Sequence, residues 1–216
     1  RLALQANPRY VTGRQWYAEY LAANNRHDEA LDEIHKALAL DPLSPIVNVV
    51  KAKILYLAGR HDEALATLNE VLALDPQFAE AWEYVKRAHD QRGAYRDAID
   101  ARQTRRRLLG LDTTETPPLA AAIGAQDART YWQARLQQEL LEARLEGFLP
   151  FELAELHAQA GDPGPALDWL ERACRENDFL MVYAASMPNL APLRGEPRFA
   201  RIMKRGCAVA PSQIRQ

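Results

Sequence analysis

His27 and His61 occupy the same place in two copies of one hexapeptide, RHDEAL. Two matched histidines are the starting material of a metal site. No third ligand shares their spacing, so the stronger reading is a copied turn in which each imidazole covers its own helix pair. Arg102 and Arg105–Arg107 form a cationic run that could meet phosphate oxygens or an acidic partner, but in a near-neutral chain the stronger reading is a solvated helix face. Tyr131 and Trp132 are adjacent aromatics that would line a small-molecule pocket or fill a core, the commoner use of tryptophan at a junction. The carboxylates fall four residues from basic side chains, the pattern of solvated helix pairs. The chain has no GxSxG elbow, no GxxxxGK[ST] phosphate loop, no HExxH and no GxGxxG. With no nucleophile and base paired by spacing, no catalytic residue, cofactor or metal ligand is assigned, and the expected role is non-enzymatic.

The bulk properties narrow the field in the same direction. A formal charge of −2 over 216 residues provides no global basic field for nucleic acid or an anionic membrane, and no direct nucleic-acid binding is expected. The apolar run PPLAAAIGA (117–125) is well short of the ~20 residues that span a bilayer, so no membrane span is expected. Cys174 and Cys207 lack any paired spacing that points to a disulfide scaffold or a zinc site.

What positions these residues is a period. Pro8, Pro42 and Pro76 recur at a step of 34 residues, closing LALQANP, LALDP and LALDP. Ala30, Ala64 and Ala98 keep the same step. Repeats therefore start at 11, 45, 79, 113 and 147. In the first, helix A is expected near Gln15–Asn24 and helix B near Asp28–Leu40, with Asp28 and Glu29 at the positive end of the helix dipole. Ser44 and Pro45 mark the cap and first turn of the next helix. In the second repeat Gly59 makes the turn, and Ala64, Leu65, Leu68, Val71 and Leu72 form the apolar stripe. The third keeps Trp82, Gly93 and Ala98 but has Gly110 where the closing proline belongs, followed by the loop-like LDTTETPPL. The fourth is degenerate: Asp127 replaces the turn glycine and Trp132 the small alanine. Its helix B, Asp127 to about Glu146, carries Tyr131, Leu136, Leu140, Leu141 and Leu145 at helical spacing and ends at Gly147. The fifth returns in phase at Gly161 and Ala166, with helices starting at Pro150 and Pro163. Beyond Asp178 come short proline-punctuated pieces and a last helix, Pro197–Arg205, with Phe199, Ile202 and Met203 on one side.

A 34-residue period with a small residue mid-repeat and a terminal proline resembles the tetratricopeptide repeat, a pair of helices that stacks into a solenoid. The expected fold is all-α: a right-handed α-solenoid of about five such hairpins. Its organisation would be 1–10 as the end of a preceding repeat, 11–112 as three repeats, 113–180 as one degenerate and one regular repeat, 181–205 as a C-terminal cap and 206–216 as a flexible tail. The chain is expected to be a fragment that begins mid-repeat. Two further stretches, FELAELHAQAGDPGPALDWLERA (151–173) and MPNLAPLRGEPRF (187–199), resemble the C-terminal region of bacterial signalling proteins. There a repeat array follows a winged-helix regulator, a Ser/Thr kinase or a cyclase domain. That resemblance implies a regulatory or sensory role, in the cytoplasm or beyond an upstream membrane helix.

In the repeat family, helix A positions 5, 9 and 12 tend to line a concave groove. The resemblance places Gln15, Glu19 and Ala22; Val49, Lys53 and Tyr56; and Glu83, Arg87 and Asp90 there. These residues would bind a partner peptide or helix, with Tyr56 as aromatic anchor. The carboxylate clamp of some family members needs Lys, Asn or Arg where Glu19, Val50, Glu80 and Tyr84 stand, so that specificity is not expected. Two other roles remain open: a small-ligand sensor at the irregular 113–147 junction, and a homodimerisation scaffold.

Overall fold

A computed structural model describes residues 7, 9–125, 127–147 and 149–205, and among them every regular element is helical. The chain divides into two compact units, Arg1–Thr114 and Glu115–Gln216.

The first unit is a short α-solenoid of three hairpins: α1 (Val11–Ala23) with α2 (His27–Leu38), α3 (Pro45–Leu57) with α4 (His61–Leu74), and α5 (Ala79–Gln91) with α6 (Tyr95–Leu108). Each second helix also packs on the first helix of the next hairpin, and α1, α3 and α5 lie side by side. The copied RHDEAL acquires a physical meaning here. Arg26 grips Glu29 through two contacts of 2.7 and 2.5 Å, and Arg60 grips Glu63 through two of 2.6 Å, each pair spanning the start of a helix. Ala30, Ala64 and Ala98 have no exposed surface, so a larger side chain there would push the paired helices apart. Around them Ile34, Ile54, Leu68 and Ile99 fill the core, each contributing roughly 1.5–3 kcal/mol by burial.

The turns share one backbone solution. Asn25 (φ 57°), Gly59 (77°) and Gly93 (71°) adopt the left-handed conformation at matched positions, and Gly161 (87°) repeats it in the second unit. At the matching place in the degenerate repeat, Asp127 is extended (φ −98°) and instead caps the next helix by accepting the Thr130 amide at 2.8 Å. Gly110 (φ 70°) ends α6 with a bond from the Leu111 amide to the Arg106 carbonyl, the stop that the missing proline would have supplied. The expected Ser44 side-chain cap is not made. Asn48 Nδ2 instead binds the Pro42 and Ser44 carbonyls.

The second unit packs α7 (Pro117–Ala125) on α8 (Ala128–Glu146), α8 on α9 (Pro150–Ala160), and α9 on α10 (Pro163–Arg175). Two 3-10 turns, Phe179–Tyr183 and Pro188–Leu193, pack on α10 and α9 respectively before α11 (Pro197–Lys204). The LRGEPRF element closes this end: Leu193 and Phe199 are buried, while Arg198 reaches Asp168 at 2.6 Å and Glu171 at 2.9 Å on α10. The apolar stripe expected on α8 needs correction. Tyr131 and Leu136 are buried as expected, but Leu141 is exposed, and Arg135, Gln138 and Glu142 are buried along the same helix. Gln138 is held by the Thr116 amide and by Glu142, so α8 buries a polar seam. Leu145 has no described side chain, and 1–6 and 206–216 lie outside the described residues. Cys174 is disulfide-bonded, which its spacing did not reveal; Cys207 lies outside the described residues.

Candidate functional site

The row α1–α3–α5 brings the groove residues of three repeats together, because equivalent positions on adjacent first helices recur at one repeat step. Lys53 Nζ lies 3.1 Å from Glu19 Oε1, joining the middle position of repeat two to that of repeat one. One repeat further on, Glu83 gathers three cations: Arg87 at 2.7 Å, Lys86 at 3.2 Å and Arg105 at 3.5 Å. Burial by itself would raise the Glu83 carboxyl, but the charges of Lys86, Arg87 and Arg105 override it and hold the group well below the usual carboxylate range. Beside it the half-buried Tyr84 hydroxyl is pushed up to about 12, chiefly by burial.

The expected residues differ in what they present. Gln15, Glu19, Lys53 and Glu83 keep part of their surface, whereas Val49, Tyr56, Arg87 and Asp90 are buried. Tyr56 has no exposed surface: its ring meets Tyr84 edge-on at 6.3 Å and His61 at 5.6 Å. It is thus part of the floor, and an anchoring role would require those rings to move. Two cavities of the first unit are lined by other residues. One of about 130 Å³ lies among Pro42, Leu43, Pro45, Asn48, Val71 and Leu74, and one of about 320 Å³ includes His35, Lys51, Arg60 and Glu63.

The remaining sequence candidates sort by burial. Nδ1 of His27 and of His61 is buried without a hydrogen bond, and burial lowers both imidazoles, so each is a neutral packing group. No group of three metal-ligating side chains occurs among the described residues. The arginine run is not a uniformly solvated face. Arg102 and Arg106 are buried, Arg106 donating to the Asp112 carbonyl, while Arg105 faces Glu83 and Arg107 is exposed. Tyr131 and Trp132 are buried edge-to-face at 5.2 Å, which makes them core rather than the lining of an open pocket. No described helix is long and apolar enough to cross a membrane.

The sequence reading missed Trp16 and Tyr20, which stand 62% and 59% exposed on α1. Aligning the repeats gives no sign of this, because the same positions hold Val50 and Ile54 in one repeat and Tyr84 and Ala88 in the next, and Val50, Ile54 and Ala88 are buried.

Helical hairpins stacked at one repeat length define a helical-repeat protein, a class built for binding through extended surfaces. Profiles of the tetratricopeptide repeat match residues 21–88 and, in the second unit, 151–172. The chain thus carries tetratricopeptide repeats in both units, a fold that serves in general as a protein–protein interaction module. Among curated proteins no sequence matches it.

Proposed function

We propose that the chain is a non-enzymatic interaction module whose α1–α3–α5 row binds an acidic segment of a partner polypeptide. The observation that carries this reading is the convergence of Lys86, Arg87 and Arg105 on the single carboxylate of Glu83. Lys86 and Arg105 keep part of their surface beside Glu83, where they would meet an incoming Asp or Glu. Gln15, Glu19 and Lys53 extend the row toward the first repeat and supply polar partners for the rest of a peptide.

We infer further that this binding serves as the C-terminal regulatory or sensory part of a larger bacterial signalling or transcription-regulatory protein. Support comes from the resemblance of 151–173 and 187–199 to that group. Occupancy of a rigid repeat surface would shift the arrangement of the domains attached to it.

Fluorescence anisotropy of a labelled glutamate-rich peptide against the chain tests the binding reading. Affinity is expected to fall with added salt, and by at least about tenfold in the double variant Lys86→Glu, Arg105→Glu. The double variant Arg96→Glu, Arg107→Glu, at two exposed positions outside the row, serves as the charge-matched control. Equal affinity in all three proteins would sink the proposal.

A further inference from the structure

The cavity of about 320 Å³ lies between α2, α3 and α4, and some of the groups lining it are not ones the repeat requires. Lys51 and Thr67 line it in the second hairpin; in the third, the same repeat positions hold Val85 and Ala101, both buried. Apolar side chains therefore satisfy the helix packing at these positions, and polar ones carry a cost unless something binds them. Thr67 is only 5% exposed, and its hydroxyl makes no hydrogen bond among the described residues. It can be satisfied only from the cavity. Lys51 and Glu70 likewise make no hydrogen bond or ion pair among the described residues, with each other or with any other group. Arg60 and Glu63, by contrast, are already paired at 2.6 Å.

Charge is spread along this cavity. Glu63, Thr67 and Glu70 succeed one another on α4, so Glu63 and Glu70 stand about 10 Å apart along the axis. Lys51 belongs to the Glu63 end, where its charge joins the Arg60 bond in holding Glu63 below the usual carboxylate range. That end offers an ammonium with no ion-pair partner, and the other offers the carboxylate of Glu70. Glu70 also borders the apolar cavity of about 130 Å³, beside Val71 and Leu74. The two cavities thus adjoin at one carboxylate.

We propose that the two cavities form one binding site for a free dipeptide with an apolar first residue. Its carboxylate meets Lys51, its ammonium meets Glu70, and the amide between them meets the Thr67 hydroxyl. The first side chain enters the apolar cavity beside Val71 and Leu74. The length follows from the charges. A single amino acid carries both charges on one carbon and cannot bridge groups at opposite ends of the cavity, whereas an extended dipeptide spans roughly 7 Å. The apolar first residue follows from Glu70, which sets the ammonium at the edge of the smaller cavity. At about 130 Å³ that space is close to the roughly 150 Å³ that holds one benzene ring in an apolar protein cavity, so a phenyl side chain fits. An acidic segment is a poor occupant, because Glu63 and Glu70 both line the larger cavity. That separates this site from the one proposed on the α1–α3–α5 row.

The test is calorimetric titration of the whole chain with the dipeptide Phe-Gly. Saturable one-to-one binding is expected, with a Kd of about 1 mM or lower for a molecule of this size. Glu70→Gln should weaken Phe-Gly about fivefold or more and leave N-acetyl-Phe-Gly, which has no ammonium, unchanged. Lys51→Met should weaken Phe-Gly by about the same factor and leave the C-terminal amide, which has no carboxylate, unchanged. Gly-Gly, without the ring, should bind about tenfold more weakly or worse. On the unaltered chain each capped peptide should itself bind more weakly than Phe-Gly, a reading that does not depend on any variant folding. Four results would overturn the proposal. They are no saturable heat at tens-of-millimolar Phe-Gly, equal affinity for the doubly capped peptide, equal affinity for phenylalanine alone, or unchanged Phe-Gly affinity in both variants. Neither substitution touches Lys86 or Arg105, so the acidic-peptide anisotropy is unaffected and the two readings fail separately.

Discussion

Lys53 reaches back across one full repeat to Glu19, with Nζ 3.1 Å from Oε1 and both side chains largely shielded from solvent. The contact ties α3 to α1 along the surface proposed for binding. An exposed pair of this kind contributes about 0.2–1 kcal/mol, and shielding places it toward the upper end. A double-mutant cycle with Glu19→Gln and Lys53→Met, read by urea unfolding, should give a coupling of about 0.5–1 kcal/mol that shrinks in 1 M salt. Additive effects of the two substitutions would show that the pair contributes nothing.

Gly59 turns at φ 77° with open space where a Cβ would stand, so the penalty for adding one is purely conformational. Gly59→Ala should cost about 1–2 kcal/mol, with Gly59→Asn costing less. Asn25 already tolerates the same conformation at φ 57° in the preceding repeat. Asn25→Gly should accordingly leave the urea midpoint unchanged or raise it slightly. A neutral Gly59→Ala would mean that the turn relaxes out of the left-handed region.

His27, His61, His89 and His157 are all lowered, first by burial, so the fold holds them neutral. The unfolded chain, with histidines near 6.5, binds more protons than the folded one as pH falls below that value. Stability is therefore full above about pH 6.5 and declines toward pH 5. Urea midpoints at pH 7.5 and 5.5 should differ in that direction, and His61→Gln should flatten the slope. A midpoint that rose on acidification would contradict the burial of these rings.

Arg198 holds α11 to α10 through Asp168 and Glu171. Arg198→Ala should lower amide protection across Pro197–Lys204 while leaving α1–α6 unchanged in hydrogen exchange. Arg198→Lys should restore only part of it, because an ammonium cannot present two parallel donors to two carboxylates. Unchanged protection in α11 would show that Phe199 and Ile202 hold the helix unaided.

The 34-residue step was enough to place the turns and the tight helix contacts, because both are local demands on the chain. A left-handed turn asks for Gly or Asn at one position, as at Asn25, Gly59, Gly93 and Gly161. A close helix pair asks for a small side chain, as at Ala30, Ala64, Ala98 and Ala166. Exposure was a different matter, since it depends on groups from other parts of the chain. Periodicity put Tyr56 in a groove, and Tyr84 from the next repeat covers it. Apolar spacing chose Leu141 for the inner face of α8, yet Arg135, Gln138 and Glu142 lie inside, Gln138 accepting from the Thr116 amide and donating to Glu142. Trp16 and Tyr20 occupy repeat positions that are covered elsewhere, and only the packing of the hairpins shows them open. The sequence by itself determined where the chain turns and which helices pair; the tertiary structure decided which side chains remain for a partner. The reason is that a side chain's solvent access is set by neighbours a whole repeat away.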